Sequence, residues 1–268
     1  MTTQEKYLNL IDYIKKFDKL AVAFSGGVDS SFLLKVAHNT IGPNAFAITY
    51  VSPLLPKREY EFTKKYCMKN CIEQKIVLGG PESLTDICDN PEDRCYICKK
   101  NIFTSLLSES HDAVLFDGSN FDDKDDYRPG LKALSELRIL SPLADCKLTK
   151  EDIRILSKEL KIPTHDKASF SCLATRVPHG EELTVTKLKK IDMLEQFLYE
   201  NSFVQFRVRL FGNTAKIEVL KEEIARLKEE SMYNELVKYF NKNEVKDIVI
   251  DSKGYIMGNM NKVKEKTE

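Results

Sequence analysis

The chain has 268 residues, 42% hydrophobic and 31% charged, enough for one large core or two modest ones. No apolar run nears the roughly 20 residues that span a bilayer, and the opening stretch MTTQEKYLNLIDYIKK has no apolar core before a cleavage site, so a cytoplasmic protein with no membrane partner is expected. Forty-one basic and 41 acidic residues cancel, which disfavours a nucleic-acid partner, and seven cysteines in a reducing compartment point to metal binding, catalysis or burial before disulfides.

In chain order, the first residues read as a helix. LAVAF (20–24), AFAITYV (45–51), KIVL (75–78) and AVLFDG (113–118) read as buried strands. Between them Asp29–His38, Lys57–Ile72 and Lys99–Leu107 carry apolar residues at helical spacing. Strand and helix alternating in this way predict an α/β fold with a doubly wound parallel sheet. Thr149 and Asp152 form a capping-box pattern for a further helix, which Pro163 ends. From about Thr164 the periodicity fades into a loop. A helix over Thr184–Asn201, two strands joined by a Gly-Asn turn in FVQFRVRLFGNTAKIEVL, helices over Lys221–Phe240 and a last strand in VKDIVID predict a second, smaller α+β domain. The expected domains are 1–163 and 164–268. The Lys/Glu-rich tail NKVKEKTE is expected to be disordered.

The strand LAVAF runs straight into SGGVDSS and then a helix. Gly26 and Gly27 let the backbone turn sharply beside an anion, Ser25, Ser30 and Ser31 add hydroxyls, and the helix presents its first N–H groups. Asp29 suits either a helix cap or a Mg²⁺ ligand beside phosphate oxygens. The stretch has neither the Walker ending nor the Gly-x-Gly-x-x-Gly spacing. Ser-Gly-Gly-x-Asp-Ser instead resembles the pyrophosphate loop of the PP-loop ATP pyrophosphatase superfamily (adenine nucleotide alpha hydrolase-like), whose members split ATP between the α and β phosphates to adenylate a substrate.

DGSNFDDKDDYRPGLKAL, SPLADCKLTKEDIR, HDKASFSCLATRVPHG and FRVRLFGNTAKIEV together resemble the ATP-dependent sulfurtransferase family of nickel-pincer nucleotide biosynthesis. The resemblance covers nearly the whole chain. It implies thiolation of a small-molecule partner, pyridinium-3,5-biscarboxylic acid mononucleotide, with ATP and Mg²⁺ as cofactors, a sulfide source and a homo-oligomer. It further implies that Ser25, Gly26, Gly27, Asp29 and Ser30 hold the ATP phosphates, with Gly118 and Asn120 beside the nucleotide at the end of the fourth strand. Asp122 and Asp126 suit magnesium or a solvated acidic turn equally. Arg207 and Arg209 alternate with Val208 and share one strand face. In the family pattern that pair takes the substrate phosphate, Glu195 is an acidic group nearby, and Arg176 offsets charge close to the reacting carboxylate.

Cys95 and Cys98, in RCYICKK, alone fit a structural zinc or a redox couple, although no second Cys-x-x-Cys or His pair completes a zinc set. Cys172, in FSCLATR, stands where the resembling family keeps its sulfur-handling cysteine. One branch gives up that cysteine's own sulfur and keeps dehydroalanine; another binds a 4Fe-4S cluster on three cysteines. With Cys95, Cys98 and Cys172 all present, the cluster reading is expected, with one iron open for sulfide. Cys67, Cys71, Cys88 and Cys146 read as structural. Competing functions are the sacrificial route at Cys172, a tRNA thiolation enzyme, and a non-catalytic nucleotide-binding module.

Overall fold

The computed structural model describes residues 1–124 and 129–256. The chain divides into two compact units, Met1–Ile87 with Glu92–Phe170, and Cys88–Pro91 with Ser171–Glu268. No helix among the described residues is long and apolar enough to cross a membrane.

The first unit is built on four parallel strands, β1 (Leu20–Ala23), β2 (Ala45–Val51), β3 (Gln74–Leu78) and β4 (Val114–Phe116), in the order β3-β2-β1-β4. The strands alternate between two cores because successive side chains leave opposite faces of a sheet. Leu20, Val22, Ala45, Ala47 and Phe116 join one apolar cluster, with residues of α1 (Thr3–Ile14), α2 (Val28–Ile41), α3 (Lys57–Lys69), α6 (Pro142–Asp145) and α7 (Lys150–Glu159). Ala21, Phe46, Ile48 and Leu115 join the other, with residues of α4 (Arg94–Ser110) and α5 (Pro129–Glu136). Both faces are covered, so the doubly wound reading holds. The order reverses direction between β1 and β4, and open parallel sheets bind ligands outside the carboxyl ends of strands at such a point.

Thr149 caps α7 reciprocally with Asp152, as its spacing predicts. Asp152 also accepts from Thr3 and Lys6 of α1, at 2.5 Å each. Burial acts to raise its carboxyl, but these bonds and those from Thr149 outweigh it and hold the group well below the usual carboxylate range.

In the second unit α8 (Val185–Glu200), capped by Thr184, buries Leu188, Ile191, Leu194 and Leu198. Strands β5 (Phe206–Phe211) and β6 (Thr214–Val219) pair antiparallel around Gly212 and Asn213, with Gly212 at φ +57°, the backbone that a two-residue hairpin needs. A parallel strand β7 (Asp247–Ile250) adds to β6. The helices α9 (Ile224–Leu227) and α10 (Glu230–Lys242) fill the interval, and Phe240 of α10 meets Phe197 of α8 edge-on.

Candidate functional site

The turn after β1 is shaped by Gly26, which sits at φ +76°. A Cβ there would lie 2.9 Å from Phe62 and 3.1 Å from Thr63 of α3, so the loop is pressed against that helix as only glycine permits. Gly27 is the N-cap of α2 and supplies no side-chain cap, leaving the first N–H groups of a 14-residue helix open to an anion. The hydroxyls of Ser25 and Ser30 face each other at 3.2 Å across this turn. Ser31 differs from expectation. It is fully buried, and its carbonyl accepts the Tyr66 hydroxyl, so it belongs to the core beneath the loop.

The loop after β4 closes on the same spot. A Cβ on Gly118 would come within 3.2 Å of the Ser30 amide nitrogen, so the two loops touch through backbone. Asn120 is buried; its Oδ1 accepts from the Asp122 amide and its Nδ2 lies 3.5 Å from Asp29. The Asp29 carboxylate is met by Lys150 at 2.6 Å, from the first turn of α7. Asp122 accepts from the Lys150 backbone N–H at 2.8 Å, so here its carboxylate caps α7. Asp126 lies outside the described residues.

Sequence periodicity starts α4 at Lys99, but the helix begins at Arg94. Cys95 and Cys98 therefore share its first turn on one face, three residues apart. The next residue, Lys99, places its ammonium 3.7 Å from the Asp117 carboxylate just before Gly118. Burial, then the nearby Cys98, raise the Tyr50 phenol near the end of β2. Both relations put the cysteine turn at the carboxyl end of the sheet, with the phosphate loop. Cys95 is exposed and Cys98 half-buried. Of the cysteines read as structural, Cys67 and Cys146 are buried, and burial pushes their thiols to about 12 and about 11. Cys88 is half-buried. Cys71 departs from that reading: it lies past the end of α3 at φ +55° with an exposed side chain.

In the second unit Cys172 is exposed at the start of a helical turn, Leu173–Arg176. Its carbonyl accepts from the Thr175 amide and hydroxyl and from Arg176, at 3.1, 2.9 and 3.0 Å. Arg176 and Glu195 are both 0% exposed and form a forked ion pair of 2.7 and 3.1 Å. Glu195 also accepts from the Val208 amide, tying α8 to β5. Neither Arg207 nor Arg209 is an exposed surface residue. Arg207 is 3% exposed, donates to the Phe206 carbonyl and lies over Tyr255; burial, then the Arg176 charge, lower its guanidinium to about 10. Arg209 binds Glu218 at 2.8 Å and the Thr175 carbonyl at 2.6 Å. Three arginines and two glutamates thus form a buried network under the Cys172 loop.

No family model matches the chain. It is 36% identical to an uncharacterized protein of Synechocystis sp. over 97% of this chain and 98% of that one. It is 32% identical to an uncharacterized protein of Methanocaldococcus jannaschii over 95% and 99%. It is 29% identical to the pyridinium-3,5-bisthiocarboxylic acid mononucleotide synthase of Lactiplantibacillus plantarum over 97% and 95%. The chain belongs to the LarE family of the PP-loop superfamily. More distantly, one of the component chains of a glutamine-hydrolyzing GMP synthase of Saccharolobus islandicus is 24% identical over 76% of this chain and 62% of that one.

Set in the LarE family, the donor chemistry can be weighed against the implied groups. Cys95, Cys98 and Cys172 offer soft sulfur donors of the kind an iron–sulfur cluster takes, with accessible or half-buried thiols, so the donor set fits. Within each unit, among the described residues, no three His, Cys, Asp or Glu side chains gather around one ion position. Asp29 supplies a part-exposed carboxylate at the phosphate loop, a hard oxygen donor suited to magnesium. Reading the sequence missed Lys150 and the Thr175 contacts. Lys150 lies 121 positions from its partner, and nothing in the local pattern marks it.

Proposed function

We propose that this protein is an ATP-dependent sulfurtransferase acting on a carboxylate of pyridinium-3,5-biscarboxylic acid mononucleotide. The observation that carries the reading is the uncapped N-terminus of α2 behind Gly26 and Gly27, with Asp29 and the Gly118 loop against it, in a chain of the LarE family. Open N–H groups and the serine hydroxyls hold phosphate oxygens, and the Asp29 carboxylate would hold magnesium beside them. Gly118 and Asn120 border the nucleotide.

A substrate carboxylate oxygen attacks the α phosphorus, pyrophosphate leaves, and an acyl adenylate forms. A sulfur nucleophile then adds to the acyl carbon and AMP departs with the former carboxylate oxygen. Cys95, Cys98 and Cys172 would hold a 4Fe-4S cluster, whose chemistry when bound would be to supply sulfide for that attack. Arg207 and Arg209 serve the substrate phosphate. Arg176 and Glu195 act as positioning residues, since Arg176 grips the carbonyls of Ser171 and Cys172. The partners required are the mononucleotide and a sulfide source.

A second reading is favoured by the exposed Cys172 thiol on a pinned backbone, which suits direct attack by that cysteine and loss of its own sulfur. Pyrophosphate release tests the shared first half. Asp29→Asn is expected to slow pyrophosphate release with MgATP and the mononucleotide about 100-fold while leaving the melting temperature within a few degrees. An unchanged rate contradicts the proposed site.

A further inference from the structure

The phosphate loop carries no cation of its own. Residues 24–31 read FSGGVDSS, with one acidic side chain and no basic one, yet a triphosphate brings several negative charges to it. A Walker loop solves that problem with a lysine at its end. Here Lys150, the nearest candidate by helix position, is engaged by Asp29.

A second lysine reaches the loop from far along the chain. Lys167 lies past α7, and its ammonium donates to the Gly26 carbonyl at 3.0 Å and to Glu59 at 2.6 Å. It also stands 4.1 Å from the centroid of Phe62, the ring against which Gly26 packs. The backbone bearing it is held by Arg154, which donates to the carbonyls of His165 and Lys167 at 2.6 and 3.0 Å. The side chains of Lys167 and Glu59 are 19% and 10% exposed, so charge there is weakly screened. An ammonium has three N–H donors, and among the described residues only two of these have acceptors. The cation is built in and fixed beside the loop, with one N–H beyond its two oxygen acceptors.

We propose that Lys167 is a phosphate-binding residue of the nucleotide site, supplying the positive charge that SGGVDSS lacks. This rests on the nucleotide reading above. Before nucleotide binds, Glu59 and the Gly26 carbonyl hold the ammonium; phosphate oxygens then share it, and Glu59 competes with them for the same cation.

The test is calorimetric titration of the full chain with magnesium and α,β-methylene ATP, which resists cleavage at the reacting bond, and with adenosine as the phosphate-free probe. Lys167→Met is expected to weaken analogue binding at least tenfold, the scale of a charge-assisted hydrogen bond, and to leave adenosine within twofold. Lys167→Arg keeps the charge and is expected to stay within about threefold. Glu59→Gln is expected to tighten the analogue about threefold, and to give no gain in the Lys167→Met background, since the competition needs both partners. A purely structural ion pair predicts otherwise: Glu59→Gln and Lys167→Met would weaken both probes together. That result, or an unchanged analogue affinity in Lys167→Met, overturns the proposal alone. Wild-type protein that binds adenosine but not the analogue overturns it equally, and wild-type protein that binds neither overturns the nucleotide reading with it.

Discussion

Cys172 shows how a single residue is prepared by its neighbours. Three donors hold its carbonyl while the residue stays exposed, so the sulfur is presented from a hydrogen-bonded turn. Cys172→Ala is expected to stop thiocarboxylate formation and leave pyrophosphate release intact, because the thiol acts after adenylation; mass analysis of the product and a pyrophosphate assay read the two halves separately. Cys95→Ala separates the two sulfur routes. The cluster reading expects loss of iron and of product, whereas transfer of the residue's own sulfur from Cys172 proceeds without Cys95. Beneath the loop, Arg176 and Glu195 bury opposite charges completely. Removing one partner leaves the other unpaired in a dry interior, at a cost of about 3–5 kcal/mol. Urea unfolding of Arg176→Ala is expected to show a loss of that size.

At the scale of elements, α1 and α7 are joined by one carboxylate. Asp152 accepts from Thr3 and Lys6 of α1 while capping its own helix. Its folded pKa is depressed, so it contributes stability above its unfolded value near pH 4 and loses it as acid protonates the folded group. Asp152→Asn is expected to lower stability by about 1–2 kcal/mol at pH 7, and the gap from wild type to narrow below about pH 4. Urea midpoints at pH 7 and pH 3.5 check both statements. Half of this arrangement is legible in the sequence. The Thr149–Asp152 spacing announces the cap, since its physics is local, but Lys6 lies 146 positions away and no local pattern names it. The start of α4 was hidden for another reason: Asp93 makes no side-chain cap bond, so the helix opens at Arg94 without the usual signal.

For the whole molecule, the strands of the parallel sheet were legible because burial on both faces writes a continuous apolar run, and the hairpin because its Gly-Asn turn needs a particular backbone. The phosphate loop was legible for the same reason, being contiguous. What resisted reading was charge. Sequence rules put arginine, lysine and glutamate on the surface by default, yet Arg176, Glu195, Arg207 and Glu59 are buried by partners that only the fold assembles. The reversal of strand order between β1 and β4, an anion-ready helix terminus and LarE-family membership converge on one central claim, that ATP activates a carboxylate by adenylation. The most direct measurement follows the oxygen. With the mononucleotide's carboxylates labelled with heavy oxygen, the account predicts one labelled atom in AMP for each sulfur inserted; AMP without label, or ADP as the nucleotide product, would contradict it.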